Sequence, residues 1–146
     1  MGVVGGLRVL IVEDEPLLAL EYESLLEALG HAPIGVAADS AAAVALARVH
    51  LPDVALVDLN LRDGLTGLQV AHDIMRDYDT QVVFITSERQ LARLDDPHVI
   101  GCLPKPFTSA MFKATMSFVT QIIRLGTADE VWQSPPGLVV ASQYRR

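Results

Sequence analysis

The 146-residue chain has a single cysteine, Cys102, and few aromatic residues, which make up 5% of the sequence. One cysteine cannot form an internal disulfide, and such cysteine usage is typical of a reducing compartment. No apolar run approaches the roughly 20 residues that a membrane-spanning helix needs. The first residues, MGVVGGL, lack the basic segment that opens a signal peptide. We therefore expect a cytoplasmic protein without a membrane partner.

Basic residues are also scarce, with 11 Lys and Arg against 18 Asp and Glu and a net charge of −7. An acidic chain is repelled by a phosphate backbone, so we expect no direct nucleic-acid partner. Hydrophobic residues make up 51% of the chain and charged residues 20%, which is typical of a globular protein and excludes a disordered one. The length predicts a single domain.

Short apolar runs rich in Val and Ile alternate with helical patterns along the chain. Runs of this length are typical of strands buried on both faces of a parallel sheet. The predicted strands are 7–12, 33–37, 53–58, 81–86 and 99–103, and the predicted helices are 15–29, 39–49, 66–78, 88–96 and 107–125. This order predicts an α/β fold with a five-stranded, doubly wound parallel sheet and five helices. We assign residues 1–126 to this domain and 127–146 to a C-terminal tail that forms no separate domain and turns at 135–137.

Polar residues whose side chains can bind ligands or take part in a reaction follow four of the predicted strands. Strand one leads into Glu13 and Asp14, strand three into Asp58 and Asn60, strand four into Thr86, and strand five into Lys105. In an open α/β sheet, the carboxyl ends of the strands form the edge at which ligands bind. The sequence therefore predicts a cleft that holds carboxylates, a hydroxyl and one ammonium group.

Crowded carboxylates favour a hard divalent cation such as Mg²⁺, which prefers oxygen ligands. Asp58 is then a candidate nucleophile for a phosphoryl group, with Lys105 and Thr86 as donors to the phosphoryl oxygens. Any one of these residues alone is more often an ordinary loop or strand residue. Only their joint placement at the strand ends indicates phosphoryl chemistry.

Four motifs carry a resemblance to the receiver domain of bacterial two-component response regulators. They are VEDE at 12–15, VDLNL at 57–61, FITS at 84–87 and LPKPF at 103–107, and the resemblance covers residues 7 to about 125. It implies a flavodoxin-like sheet of order 2-1-3-4-5. It also implies that Asp58 is phosphorylated and that Mg²⁺ is held by Asp14, Asp58 and the main-chain carbonyl of Asn60, with Glu13 contributing through water. Thr86 and Lys105 would form the phosphate-sensing pair, and the Lys105–Pro106 bond would be cis.

The resemblance further implies how such a domain works. A sensor histidine kinase or a histidine phosphotransfer protein donates the phosphoryl group, and a downstream protein target reads the modified surface. The chain would be a phosphoacceptor with only Mg²⁺-dependent self-phosphorylation and autodephosphorylation chemistry, and otherwise not an enzyme.

The chain departs from the family pattern in three places, and two of these departures affect the expected readout. The switch position, usually aromatic, is Cys102, and the stretch between Thr86 and Lys105 is about one helical turn short. Arg62 and Asp63 replace a common proline, which we interpret as a neutral loop variant. Cys102 keeps open the alternative of a pseudo-receiver, a binding module that needs no phosphate. A phosphatase of the haloacid-dehalogenase type is disfavoured because Asn60 stands where it needs a second aspartate.

Two stripes of apolar residues run along the last predicted helix. The first, predicted to lie on the sheet, is Phe107, Met111, Ala114, Phe118, Ile122 and Leu125; the second, turned partly away, is Phe112, Met116, Val119 and Ile123. The second stripe needs a cover, either a second protomer through this helix or the tail with Val131, Trp132, Leu138, Val139 and Val140. We favour a homodimer. Gly64 and Gly67 are expected in turns with positive φ.

Overall fold

A computed structural model describes residues 6–125 and 134–144. Six strands form one sheet in the order β2-β1-β3-β4-β5-β6, and the first five run parallel while β6 pairs antiparallel with β5. The strands are β1 Arg8–Val12, β2 Ala32–Ala37, β3 Val54–Val57, β4 Gln81–Thr86, β5 Val99–Pro104 and β6 Val139–Val140. The helices are α1 Pro16–Ala28, α2 Ser40–His50, α3 Gly67–Tyr78 and α4 Ser109–Leu125. The predicted order 2-1-3-4-5 and the flavodoxin-like class are thus confirmed, with one strand added.

The strands are mostly apolar because helices cover both faces of the sheet. On one face the buried cluster includes Val9, Ile11, Val83 and Ile85 with side chains of α1 and α4. On the other face the cluster includes Leu10, Val57 and Phe84 with side chains of α2 and α3. This alternation of neighbouring residues between two buried faces fixes the register of each strand, since a one-residue slip would exchange the two clusters.

Local signals place the ends of the helices. α1 begins at Pro16, where a proline costs no hydrogen bond, and Gly30 follows its end with a φ of 87°. α2 begins after Asp39, whose side chain accepts a 2.9 Å hydrogen bond from the main-chain nitrogen of Ala42. These caps set where each helix starts relative to the strand end before it.

The predicted helix at 88–96 is wrong. The segment forms only a 3-10 turn at Arg89–Leu91, and Ala92 is already extended, with φ −69° and ψ 133°. Twelve residues separate β4 from β5, and Pro97 limits the last of them. The extended chain instead lays Ala92 and Leu94 against the α2–α3 face of the sheet. The described residues therefore contain four α-helices, where the sequence predicted five.

The sixth strand was also not predicted. Residues 134–144 turn near Gly137, as expected, and then pair with β5, with Val139 opposite Cys102 and Val140 opposite Gly101. Strand β5 would otherwise be an open edge, and proteins commonly cover such edges. Val131 and Trp132, the other tail residues proposed as a cover, lie outside the described residues.

The predicted face of the last helix is only partly correct. Phe118 and Ile122 of the first stripe are buried, but Leu125 of that stripe is 58% exposed. The second stripe contributes the buried Phe112, Met116 and Val119. The buried face of α4 therefore spans parts of both stripes. The homodimer through this helix stays a prediction.

Within the described residues, no helix is both long and apolar enough to cross a membrane.

A candidate phosphoacceptor site

The residues that end β1, β3 and β5 meet at one edge of the sheet. The Nζ atom of Lys105 donates one hydrogen bond of 2.7 Å to Oε1 of Glu13 and another of 2.7 Å to Oδ2 of Asp58. Glu13 is 2% exposed and Asp58 is 6% exposed, so both carboxylates are largely removed from water. The bond from Lys105 to Pro106 is cis, as the resemblance implies. One ammonium group therefore bridges two buried carboxylates from different strands.

Asp14 completes a group of three carboxylates with Glu13 and Asp58. One ligand oxygen from each residue lies within 4.8 Å of the others. All three donors are carboxylate oxygens, and Lys105 is the only cation that contacts the group among the ion pairs of the described residues. Three negative charges against one positive charge, with oxygen donors alone, fit a hard divalent cation such as Mg²⁺. The cluster can hold a metal.

Burial decides the protonation behaviour of the site. It raises the pKa of Glu13 above its usual value, because the loss of water outweighs the hydrogen bond and charge of Lys105. Burial alone would lower the pKa of Lys105, but the hydrogen bonds and charges of Asp58 and Glu13 hold it above its ordinary value. The ammonium therefore stays charged at neutral pH, whereas the charge on Glu13 is held at a cost to folding.

We predict that replacing Glu13 by Gln stabilises the metal-free protein at neutral pH. A carboxyl with a raised pKa binds its proton more tightly in the folded chain. Its contribution to stability is therefore full below the ordinary glutamate range and is lost as pH rises through the raised pKa. Urea unfolding between pH 4 and 8, with chelator present, should show wild-type stability falling over this window and a flatter profile for Glu13→Gln. An equally steep fall in the variant would assign the effect to another group.

Asn60 and Thr86 are the remaining residues of the predicted site. The main-chain nitrogen of Asn60 donates a 3.3 Å hydrogen bond to Oδ1 of Asp58, so the loop after β3 folds back onto the acceptor candidate. Thr86 is fully buried, and its Oγ1 accepts a hydrogen bond from the main-chain nitrogen of Glu88 at 3.1 Å. The carbonyl of Thr86 accepts from the main-chain nitrogen of Lys105 at 3.1 Å. Thr86 and Lys105 are thus joined through their backbones.

Cys102 lies three residues before Lys105 and is 1% exposed. Its side chain belongs to the α2–α3 cluster together with Phe84, and Ala92 and Leu94 pack against this cluster. Burial raises the pKa of its thiol to about 11, so the thiolate form is scarce at neutral pH. Cys102 is a packing residue in this state and does not face solvent as a movable switch.

A tyrosine that was not predicted from the sequence contacts the site. Tyr22 of α1 is buried, and its hydroxyl donates a 3.4 Å hydrogen bond to Oε1 of Glu13. Its ring lies 5.7 Å from the ring of Phe112 and 5.9 Å from that of Phe107, centroid to centroid. The helical spacing of α1 could have indicated burial of this residue, but no local motif indicates its contact with Glu13.

The loop after the acceptor candidate is held by Asp63, which the sequence analysis took as a neutral variant. Its Oδ2 accepts from the hydroxyl of Ser40 at 2.5 Å, and its Oδ1 accepts from the hydroxyl of Thr66 at 2.7 Å. The main-chain nitrogen of Arg62 donates to the carbonyl of Ala38 at 2.9 Å. These contacts tie the loop that follows Asp58 to the start of α2.

Comparison with known proteins decides the family. Residues 9–117 match the family described as the response regulator receiver domain. The chain belongs to this family. It is 39% identical over 113 residues to the phyllosphere-induced regulator PhyR of Methylorubrum extorquens, covering 75% of the chain and 42% of that protein. It is 35% identical over 106 residues to the transcriptional regulatory protein PdtaR of Mycobacterium tuberculosis, covering 69% of the chain and 50% of that protein.

Solved receiver structures support the same assignment. The REC domain of the PhyR response regulator from Erythrobacter litoralis superposes with a TM-score of 0.71 at 32% identity, covering 82% of this chain and 93% of that one. The anti-anti-sigma factor PhyR from Bartonella quintana gives a TM-score of 0.70 at 30% identity, covering 83% and 50%. The receiver chain spans half or less of the curated relatives PhyR and PdtaR. These relatives are regulators, so the family is one of signalling proteins.

Proposed function

We propose that this receiver is a phosphorylation switch in which Asp58 accepts a phosphoryl group from a sensor histidine kinase or a histidine phosphotransfer protein. The observation that carries the proposal is the bridging of Asp58 and Glu13 by Lys105 at the strand-end edge. A cation fixed beside a buried carboxylate marks where a transferred phosphoryl group would be stabilised.

In the phosphoryl transfer to Asp58, one bond forms and one bond breaks. A carboxylate oxygen of Asp58 attacks phosphorus, the new P–O bond forms, and the P–N bond of the donor phosphohistidine breaks. The imidazole nitrogen leaves with the bonding electrons and takes up a proton from water. Lys105 lies 2.7 Å from Oδ2 of Asp58 and can donate to a phosphoryl oxygen built on the same carboxylate. Thr86, joined to Lys105 through its backbone, would supply the second donor.

The ligand set proposed for Mg²⁺ is the one that membership of the receiver family implies, and three of its residues form the carboxylate group. Asp14 and Asp58 would ligate Mg²⁺ directly with the main-chain carbonyl of Asn60, and Glu13 would contribute through water. Mg²⁺ supplies charge neutralisation of the carboxylates and of the incoming phosphoryl group. The bridging position of Lys105 is consistent with this division, because its ammonium is already bonded to Glu13 and to one oxygen of Asp58.

Signalling would then proceed by protein–protein contact with a downstream target. The PhyR of Bartonella quintana is described as an anti-anti-sigma factor, and such a factor works by binding another protein. By analogy with that relative, a protein partner rather than a small molecule would read the phosphorylated surface.

Titration with Mg²⁺ tests the metal part of this proposal. We expect Mg²⁺ to bind in a 1:1 ratio by calorimetry and to be required for phosphorylation by acetyl phosphate. Asp14→Ala should weaken Mg²⁺ binding at least about tenfold while the fold persists, because Asp14 is only partly buried. Asp73→Ala is the matched control, because Asp73 is a partly buried carboxylate of α3 that lies outside the site. Equal Mg²⁺ affinity in the Asp14 and Asp73 variants would contradict the assigned ligand set.

A further inference from the structure

The outer edge of β5 is covered by residues 134–144, which we name the edge segment. Within it, Val139 and Val140 pair antiparallel with Cys102 and Gly101. The strand contact is extended by a 2.9 Å hydrogen bond from the main-chain nitrogen of Ala141 to the carbonyl of Ile100. An uncovered edge strand presents free N–H and C=O groups that accept another strand. The edge segment therefore occupies a strand-docking surface.

The surface is shaped for the backbone of an incoming strand. A side-chain carbon at Gly101 would lie 2.6 Å from the carbonyl oxygen of Val139 and 3.3 Å from the side chain of Leu138. Any other residue at this position of β5 would push the segment away, because the nearest atom is backbone and cannot move alone. Glycine at position 101 thus allows close approach of a strand to the edge of β5.

The edge segment shows what chemistry the surface accepts. The side chains of Leu138 and Val140 join the buried cluster on the α1–α4 side of the sheet, and Val139 packs on the opposite side. Ala141 is fully buried. An occupant must therefore be extended and apolar on both of its faces over about four residues.

The docked edge is connected to the candidate phosphorylation site through β5. Gly101 lies four residues before Lys105, whose ammonium contacts both Glu13 and Asp58 at 2.7 Å. A phosphoryl group on Asp58 would bring its oxygens next to the ammonium of Lys105, and we expect the position of this residue at the end of β5 to change. Gly101 belongs to the same strand and pairs with the edge segment at a position that leaves no room for a side chain, so we expect such a change to reach the edge segment.

We propose that the edge of β5 is a docking surface for an extended apolar segment of the downstream partner, and that the edge segment holds this surface closed until Asp58 is phosphorylated. The inference rests on the proposed function and specifies the kind of partner for it. A two-residue ladder with four apolar side chains suits a short peptide segment. A second copy of this chain would need a far larger contact, of about 20–30 residues a side.

A peptide copying residues 134–144 tests the proposal, since this is the sequence shown to fit the surface. Its binding to the full chain is measured by fluorescence anisotropy with Mg²⁺, in the presence and absence of beryllofluoride as the phosphoryl mimic. We expect at least tenfold tighter binding with the mimic. Leu138→Asp in the protein, which weakens only the resident segment, should allow peptide binding without the mimic. Gly101→Ala should abolish peptide binding in both states.

The two variants change binding in opposite directions, so loss of stability alone cannot produce the expected pattern. Formation of the beryllofluoride adduct is followed separately by fluorine NMR. Failure to form the adduct contradicts the proposed function, whereas an adduct without tighter peptide binding overturns this inference. Peptide binding that survives Gly101→Ala also overturns it. A mimic-induced dimer seen by light scattering, and lost in Gly101→Ala, would assign the surface to a second copy and overturn the assignment to a partner.

Discussion

Replacing Asp58 by Asn should abolish phosphorylation of the chain by acetyl phosphate in the presence of Mg²⁺. The amide is nearly the same size as the carboxylate, so the fold should persist, but it is a far weaker nucleophile and carries no charge for Lys105. Intact-mass spectrometry should show one added phosphoryl group on the wild type and none on the variant. This is the largest functional effect that the site geometry predicts.

Asp73→Asn is the matched control, since Asp73 is an α3 carboxylate outside the site that accepts a hydrogen bond from Gln69. We expect this variant to be phosphorylated at the wild-type rate. A phosphoryl group on the Asp58→Asn protein, at a level comparable to the control, would place the acceptor elsewhere.

Gly67→Ala should cause a large loss of stability. Gly67 is the first residue of α3, and a side-chain carbon there would lie 2.1 Å from the carbonyl oxygen of Asp58 and 2.5 Å from Cα of Leu59. Both atoms belong to the backbone that carries the site, so relief requires moving α3 away from β3. We expect a loss of roughly 2–4 kcal/mol in the free energy of unfolding, with a fall in Tm on the order of 10 °C.

Gly64→Ala separates this steric effect from a purely conformational one. Gly64 has a φ of 107°, and a side-chain carbon at this position meets no atom within 4 Å. Its replacement should cost about 1–2 kcal/mol through backbone strain alone and should leave Mg²⁺ affinity near the wild-type value. If Gly67→Ala proves no more damaging than Gly64→Ala, the close approach of α3 to Asp58 is not the constraint described here.

The strand-end pattern was predictable because it depends on topology alone. Once the apolar runs are assigned as parallel strands, Asp58 and Lys105 must lie at one edge, whatever the details of packing. The positive φ of Gly64 was also predicted correctly. Gly67 was predicted for the same reason, but its role is close approach to Asp58 and Leu59. That role depends on a neighbouring backbone that local sequence does not specify.

The parts that failed depend on contacts distant in sequence. Strand β6 has only two residues and is positioned by a missing side chain at Gly101, so no periodicity could have predicted it. The absent helix between β4 and β5 reflects a connection too short for a helix that must also return to the sheet. Two side-chain hydrogen bonds, from Tyr22 to Glu13 and from Ser40 to Asp63, also join residues that only the fold brings together.

The central claim is that the phosphoryl group resides on Asp58 beside Lys105, and hydride trapping tests it most directly. Borohydride reduces an acyl phosphate of aspartate to homoserine and leaves unmodified carboxylates intact. After treatment of the phosphorylated wild-type protein, peptide mass spectrometry should find homoserine at position 58 and at no other aspartate. Homoserine at Asp14 or at another carboxylate, with Asp58 unchanged, would contradict the account.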